Sequence, residues 1–132
     1  LEMINELKVK YKTSMILITH DLGVVGNVCD YVGVVYAGEI IELGTKEDIF
    51  LGPLHPYTRG LFGAIPDLSV KTRRLANIEG LPPDPSNLPA GCCFCDRCRE
   101  KRDPCVTEKP DFIRISDTHF CKCWLKEVGS YG

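Results

Sequence analysis

Apolar residues change their spacing early in the chain. They recur on one helical face between Leu1 and Tyr11, which predicts an amphipathic helix. The next apolar run, residues 15–19, shows no alternation and stops at His20-Asp21. A run this short that is apolar on both faces predicts a strand buried on both sides in a parallel sheet. Ligands bind at the carboxyl ends of such strands, so His20 is expected at a ligand-binding end.

The following segment predicts a helix, a hairpin and two more helices. Residues 21–29 carry apolar side chains on one side behind a capping Thr or Asp, which favours a short helix. Residues 31–36 and 39–43 are strand-like and separated by two turn residues, which predicts an antiparallel hairpin. Residues 45–51 begin with an N-cap signature. Residues 56–65 begin with proline and form the last predicted helix, with Leu61, Phe62 and Ile65 on its buried face.

The periodic pattern ends after residue 66. Residues 1–66 are therefore interpreted as one α/β unit, with a domain boundary near residues 67–76. Residues 67–89 are polar, basic and then proline-rich, which is typical of a linker. Residues 90–132 have too few apolar residues for a core of their own, so this small irregular extension is expected to need cross-links through its cysteines.

Composition narrows the function classes. The 132 residues are 44% hydrophobic and 26% charged, as in ordinary soluble domains. The net charge is −2 and the basic residues are dispersed, which argues against a nucleic-acid partner. No apolar run approaches the roughly 20 residues that cross a bilayer, and no signal peptide is recognisable. A chain that begins with Leu inside a helical pattern is expected to be a piece of a longer protein.

Seven of the 8 cysteines lie between Cys92 and Cys123. Without a secretion signal, such density favours a metal site over disulfides. The spacing Cys92-x2-Cys95-x2-Cys98, with Cys105 or a later cysteine as the fourth thiolate, matches the start of a ferredoxin-type iron–sulfur run. Four thiolates could equally form a tetrahedral zinc site, and disulfides are the third interpretation.

The region around His20 resembles the end of an ABC-transporter ATP-binding subunit. The resemblance rests on the stretches ILITHDLGVV, VVYAGEIIELG and PLHPYTRGL, the last typical of the oligopeptide/dipeptide and nickel importers. It implies that His20 is the catalytic switch histidine, which contacts the γ-phosphate of ATP. It assigns no nucleotide contact to His55, whose position before Pro56 predicts a structural helix cap.

The chain contains no G-x-x-x-x-G-K-[ST] phosphate loop, no acidic pair for magnesium and no signature loop. In the family these precede the switch histidine, so ATP and Mg²⁺ are cofactors expected only of the intact parent protein. The isolated chain is expected neither to bind ATP tightly nor to hydrolyse it. The fold class is therefore the C-terminal piece of a P-loop ABC ATPase domain followed by the cysteine-rich extension.

The extension is similar to the C-terminal region of peptide-importer ATPases, in which cysteines of some members bind a [4Fe–4S] cluster. The pattern G-C-x-F-x-x-R-C, then C-x6-C, then H-x3-C carries the similarity. Position by position it implies the ligands Cys92, Cys98, Cys105 and Cys123. The cysteines left over are Cys93, Cys95 and Cys121, of which Cys95 could replace Cys105 or Cys123.

The resemblance implies a subunit that hydrolyses ATP to import peptides or a related small substrate. Such a subunit lies peripherally on the cytoplasmic face of the membrane, with a second ATPase subunit and two permease subunits as partners. Its extension would support or regulate the ATPase dimer. The alternative is a stand-alone cysteine-rich metal-binding interaction module, which predicts a compact monomer. A piece of an ATPase instead predicts exposed apolar surface on residues 1–11 and 15–19, and hence self-association.

Overall fold

The computed structural model describes residues 1–63 and 78–124. The described helices are α1 (Glu2–Tyr11), α2 (Leu22–Val28), α3 (Lys46–Leu51), α4 (Pro56–Gly63) and α5 (Asp103–Thr107), with a 3₁₀ turn at Cys95–Arg97. The described strands are β1 (Tyr31–Tyr36), β2 (Glu39–Thr45), β3 (Ile113–Arg114) and β4 (Phe120–Cys121). Ile65 and the predicted boundary at residues 67–76 lie outside the described residues. No helix within the described ranges is both long and apolar enough to span a membrane.

Side-chain caps fix the starts of α2 and α3. The Asp21 carboxylate accepts hydrogen bonds from the backbone N–H groups of Gly23 (2.9 Å) and Val24 (3.1 Å). Thr45 and Asp48 form a capping box, each side chain accepting from the backbone N–H of the other. These bonds satisfy N–H groups that the first helical turn leaves unpaired. They confirm both helices predicted from the cap residues.

The β1–β2 pair is the predicted antiparallel hairpin. Ala37 and Gly38 both have positive φ, 48° and 80°, which is the geometry of a tight two-residue turn. The pairing passes from Val34–Glu42 to Val35–Ile40, so Ile41 is an extra residue that forms a bulge. Strand β2 continues to Thr45, two residues beyond its predicted end.

The extension completes the sheet of the hairpin. The strand order is β1-β2-β4-β3, and β4 pairs antiparallel with β2. The core is shared as well, since buried side chains from both parts of the chain pack together. They are Val34, Tyr36, Ile41, Ile49, Cys93 and Phe94. The extension is thus attached to residues 1–63 by strand pairing and by apolar contacts, in addition to any cross-link through a metal.

Residues 15–19 do not form the predicted buried strand. They have no regular structure, and Ile16 and Ile18 are 92% and 94% exposed. A strand requires a hydrogen-bonding neighbour, and no segment within residues 1–63 and 78–124 pairs with this one. The described sheet is antiparallel, and not the predicted parallel sheet. Helix α1 also buries none of its residues, so the expected exposed apolar surface is present.

Candidate metal centre

Four cysteines from three segments line one small cavity. Cys92 and Cys98 flank the 3₁₀ turn, Cys105 lies in α5, and Cys123 follows β4. The other residues lining this cavity are His55, Pro56, Phe94, Cys95, Glu100 and Trp124. The structure therefore brings together the four cysteines that the resemblance names as ligands. We call this space the cysteine cavity.

Backbone contacts set the approach of the cysteine-bearing segments. The N–H of Cys92 donates to the carbonyl of Cys105 at 2.8 Å. Gly91 permits this contact, because a Cβ on residue 91 would lie 2.2 Å from the same carbonyl oxygen. The N–H of Cys95 donates to the carbonyl of Cys92, and that of Cys98 to the carbonyl of Cys95. These bonds wind the chain so that Cys92 and Cys98 reach the same cavity.

Three thiols at the cavity, those of Cys92, Cys95 and Cys98, have raised pKa values. A hydrogen bond with Cys93, together with burial, raises the pKa of Cys92 to about 12. Burial is the main cause that raises the pKa of Cys95 to about 11, and it also raises the pKa of Cys98. These thiols are therefore not activated nucleophiles, and each loses its proton only when it binds a metal.

The donor set suits a thiolate-ligated group. Four cysteines are the usual ligands of a [4Fe–4S] cluster and also of structural zinc. The enclosed space is about 10 Å³. As the side chains stand, no three His, Cys, Asp or Glu residues within the described ranges could hold a metal ion. Binding such a group would therefore require these side chains to rearrange. Cys92, Cys95, Cys98 and Cys105 form no disulfide bonds.

The three additional cysteines occupy different places. Cys95 lines the cysteine cavity beside the four named above. Cys93 points into the shared core, where its thiol lies 3.8 Å from the carbonyl oxygen of Tyr36. Cys121 is fully buried in β4. Of these three, only Cys95 is placed on the cavity.

A buried carboxylate holds two segments against β2. Glu42 is 0% exposed, and it accepts hydrogen bonds from the backbone N–H groups of Leu54 (2.8 Å) and His55 (2.9 Å). Its Oε1 also lies 2.7 Å from Nε2 of His119. Glu42 was not predicted from the sequence to have this role, because a glutamate between Ile41 and Leu43 gives no sign of its distant partners.

His55 contributes to both α4 and the cysteine cavity. Its Nδ1 accepts a hydrogen bond from the backbone N–H of Tyr57 at 3.0 Å, as expected of a structural cap. The rest of the ring lines the cavity and is almost wholly buried. Only the first of these contacts was predicted, because nothing in the sequence places His55 near Cys92.

His20 lies elsewhere, in an exposed bend before α2. It lines a groove of about 760 Å³ between residues 13–20, α2 and β1. No hydrogen bond to its ring occurs within the part of the chain that the structure describes. The structure therefore places His20 and the cysteine cavity at two different sites.

Known proteins of peptide transport are similar to this chain. Residues 41–105 match the family described as "Oligopeptide/dipeptide transporter, C-terminal region". The chain is 46% identical over 127 residues to the dipeptide transport ATP-binding protein DppD of Bacillus subtilis. Residues 41–105 thus match the C-terminal region of oligopeptide/dipeptide transporters, and nearly the whole chain is similar to a dipeptide transport ATP-binding protein. This confirms the resemblance found in the sequence.

Other peptide-transport ATP-binding proteins also match most of the chain. The oligopeptide transport ATP-binding protein AppD of Bacillus subtilis is 43% identical over 127 residues. OppD of Salmonella typhimurium is 44% identical over 108 residues, which is 82% of this chain. The DppD and AppD alignments each cover 96% of this chain but only 38% and 39% of those relatives. The chain thus spans less than two fifths of their length.

The family match contains most of the cysteine cavity. Glu42, His55, Cys92, Cys98 and Cys105 all fall within residues 41–105. His20 and Cys123 fall outside it, although the DppD alignment covers nearly the whole chain.

Proposed function

We propose that this chain is part of the ATP-hydrolysing subunit that powers import of peptides, or of a related small substrate, by an ABC transporter. The support is its 46% identity over 127 residues to a dipeptide transport ATP-binding protein. The intact subunit binds ATP and Mg²⁺ through segments that this chain lacks. It works at the cytoplasmic face of the membrane with a second ATPase subunit and two permease subunits.

His20 is the catalytic residue of this proposal. An exposed imidazole can accept or donate a proton and can hold a phosphate oxygen or the attacking water. Its role in the intact subunit is to contact the γ-phosphate of ATP. The exposed bend leaves the ring accessible to a nucleotide bound by other segments of that subunit.

A chimera tests the role of His20. This chain replaces the matching residues of Bacillus subtilis DppD, and phosphate release is measured with ATP and Mg²⁺. The chimera should hydrolyse ATP, and His20→Ala should reduce the rate about 100-fold or more, as expected for loss of a group that transfers a proton. Glu47→Gln, at an exposed position on α3, is the matched control and should retain the rate. An inactive chimera, or full activity with His20→Ala, contradicts the proposal.

The extension is proposed to hold a [4Fe–4S] cluster, and the observation that carries this is the meeting of four cysteines at one cavity. Cys92, Cys98, Cys105 and Cys123 are its proposed ligands. A bound cluster would cross-link the 3₁₀ turn, α5 and the segment after β4. The proposed role of the cluster is structural, because it would join three separate segments of the extension. Zinc on the same thiolates is the alternative.

Substitution of single cysteines tests the ligand set. Each is changed to Ser, and the visible absorbance is measured on protein reconstituted without oxygen. Changing any of the four proposed ligands should abolish the colour, whereas Cys93→Ser and Cys121→Ser should retain it. Loss of colour with Cys95→Ser but not with Cys105→Ser would overturn the assignment in favour of Cys95.

A further inference from the structure

Three contacts hold the His55 residue in place. Its backbone N–H donates to Oε2 of Glu42 at 2.9 Å, and its Nδ1 accepts from the backbone N–H of Tyr57 at 3.0 Å. The ring also packs against Phe94, with the ring centroids 5.7 Å apart. Only 1% of the residue is exposed. The ring orientation is therefore set by the fold and not by solvent.

The contact with Tyr57 decides which ring nitrogen carries the hydrogen. A backbone N–H can only donate, so Nδ1 of His55 is the acceptor and has no hydrogen. In a neutral imidazole one nitrogen accepts and the other donates. Nε2 of His55 is therefore an N–H donor.

This donor is buried, and it has no hydrogen-bond partner of ordinary geometry within the described residues. Buried polar groups are nearly always paired, and an unpaired one reduces stability unless something occupies the position opposite it. The ring lines the cysteine cavity together with Cys92. Among Cys92, Cys95 and Cys98, Cys92 is the thiol whose side-chain contacts include His55.

The geometry points to His55 as a positioning residue that donates the Nε2 hydrogen to the sulfur of Cys92 when the metal centre is formed. This inference rests on the proposed cluster. A hydrogen bond to a ligating thiolate withdraws negative charge from the cluster and raises its reduction potential. The histidine would thus hold the Cys92 thiolate in place and set the potential of the cluster.

Two substitutions of His55 distinguish its role as the acceptor for Tyr57 from its role as a donor into the cavity. In His55→Asn, the side-chain oxygen can replace Nδ1 as the acceptor for Tyr57, but the amide is too short to reach the cavity. In His55→Gln, the longer side chain can place an amide N–H near the position of Nε2. Both variants and the wild type are prepared as the full chain and reconstituted with iron and sulfide without oxygen. Iron and sulfide content are measured first, and the reduction potential of the loaded proteins second.

The expected result is a more negative potential in His55→Asn than in the wild type, with His55→Gln closer to the wild type. Loss of iron from His55→Asn alone also supports the donor. Equal potentials in all three proteins, or loss of iron from both variants, overturn the inference and leave the cluster proposal standing. A wild-type chain that takes up no iron overturns the cluster, and with it this inference.

Discussion

Among the buried polar side chains, we expect the Glu42 carboxylate to contribute most to the free energy of unfolding. It accepts three hydrogen bonds, from Leu54, His55 and His119, at 2.7–2.9 Å and at zero exposure. Glu42→Gln keeps the size of the side chain but replaces one acceptor oxygen with an NH₂ group that faces another donor. A hydrogen bond to a charged acceptor contributes ~1.5–3 kcal/mol, and breaking a buried charged contact costs ~3–5 kcal/mol. The free energy of unfolding should therefore fall by about 3–5 kcal/mol, a large part of the stability of a small domain.

Urea unfolding followed by circular dichroism measures this change. The control is Glu47→Gln, the same substitution at an exposed position on α3, which should change the free energy of unfolding by less than ~1 kcal/mol. His119→Gln should cost less than Glu42→Gln, because the two backbone donors remain paired with the carboxylate. Equal stability of Glu42→Gln and Glu47→Gln would refute the reasoning.

Four further results are expected. Gly91→Ala should prevent uptake of iron and sulfide, measured by visible absorbance, because its Cβ would collide with the Cys105 carbonyl. A hydrogen bond from the Thr118 hydroxyl is the main cause that holds the pKa of Asp48 below its ordinary value of 3.8. The ionised Asp48 carboxylate therefore stabilises the fold fully above pH 3.8, and this stabilisation is lost as the pH falls through the folded-state pKa of Asp48. Acid unfolding of Asp48→Asn should therefore depend less on pH below 3.8 than that of the wild type. Light scattering should show a mass above that of a monomer, reduced by changing exposed Ile16 and Ile18 to Ser. Phosphate-release assays on the isolated chain should show no ATP turnover, since the phosphate loop is absent from the sequence.

Elements with local signals were predicted well from the sequence. Asp21, Thr45 and the Ala37-Gly38 turn act on residues within a few positions of themselves, so α2, α3 and the hairpin follow from short stretches. Residues 15–19 were predicted wrongly as a buried strand because a strand depends on neighbours that no local pattern supplies. Two-residue strands such as β4 have no pattern of their own, so its pairing with β2 could not be predicted.

The site was predictable only in part, because its contacts join distant positions. Spacing alone favoured Cys92, Cys95 and Cys98 with Cys105 or a later cysteine as the fourth ligand. The family resemblance was needed to choose Cys105 and Cys123 in place of Cys95. The Glu42 contact with His119 spans 77 positions, and no sequence signal pairs them. The position of His55 beside the cysteine cavity likewise depends on how β2 holds its backbone.

Native mass spectrometry of the anaerobically reconstituted chain tests the proposed metal centre most directly. The wild type and Cys95→Ser should each gain the mass of four iron and four sulfide per chain, whereas Cys98→Ser should gain none. A gain of one zinc, no gain at all, or an equal gain by Cys98→Ser would contradict a [4Fe–4S] cluster held by Cys92, Cys98, Cys105 and Cys123.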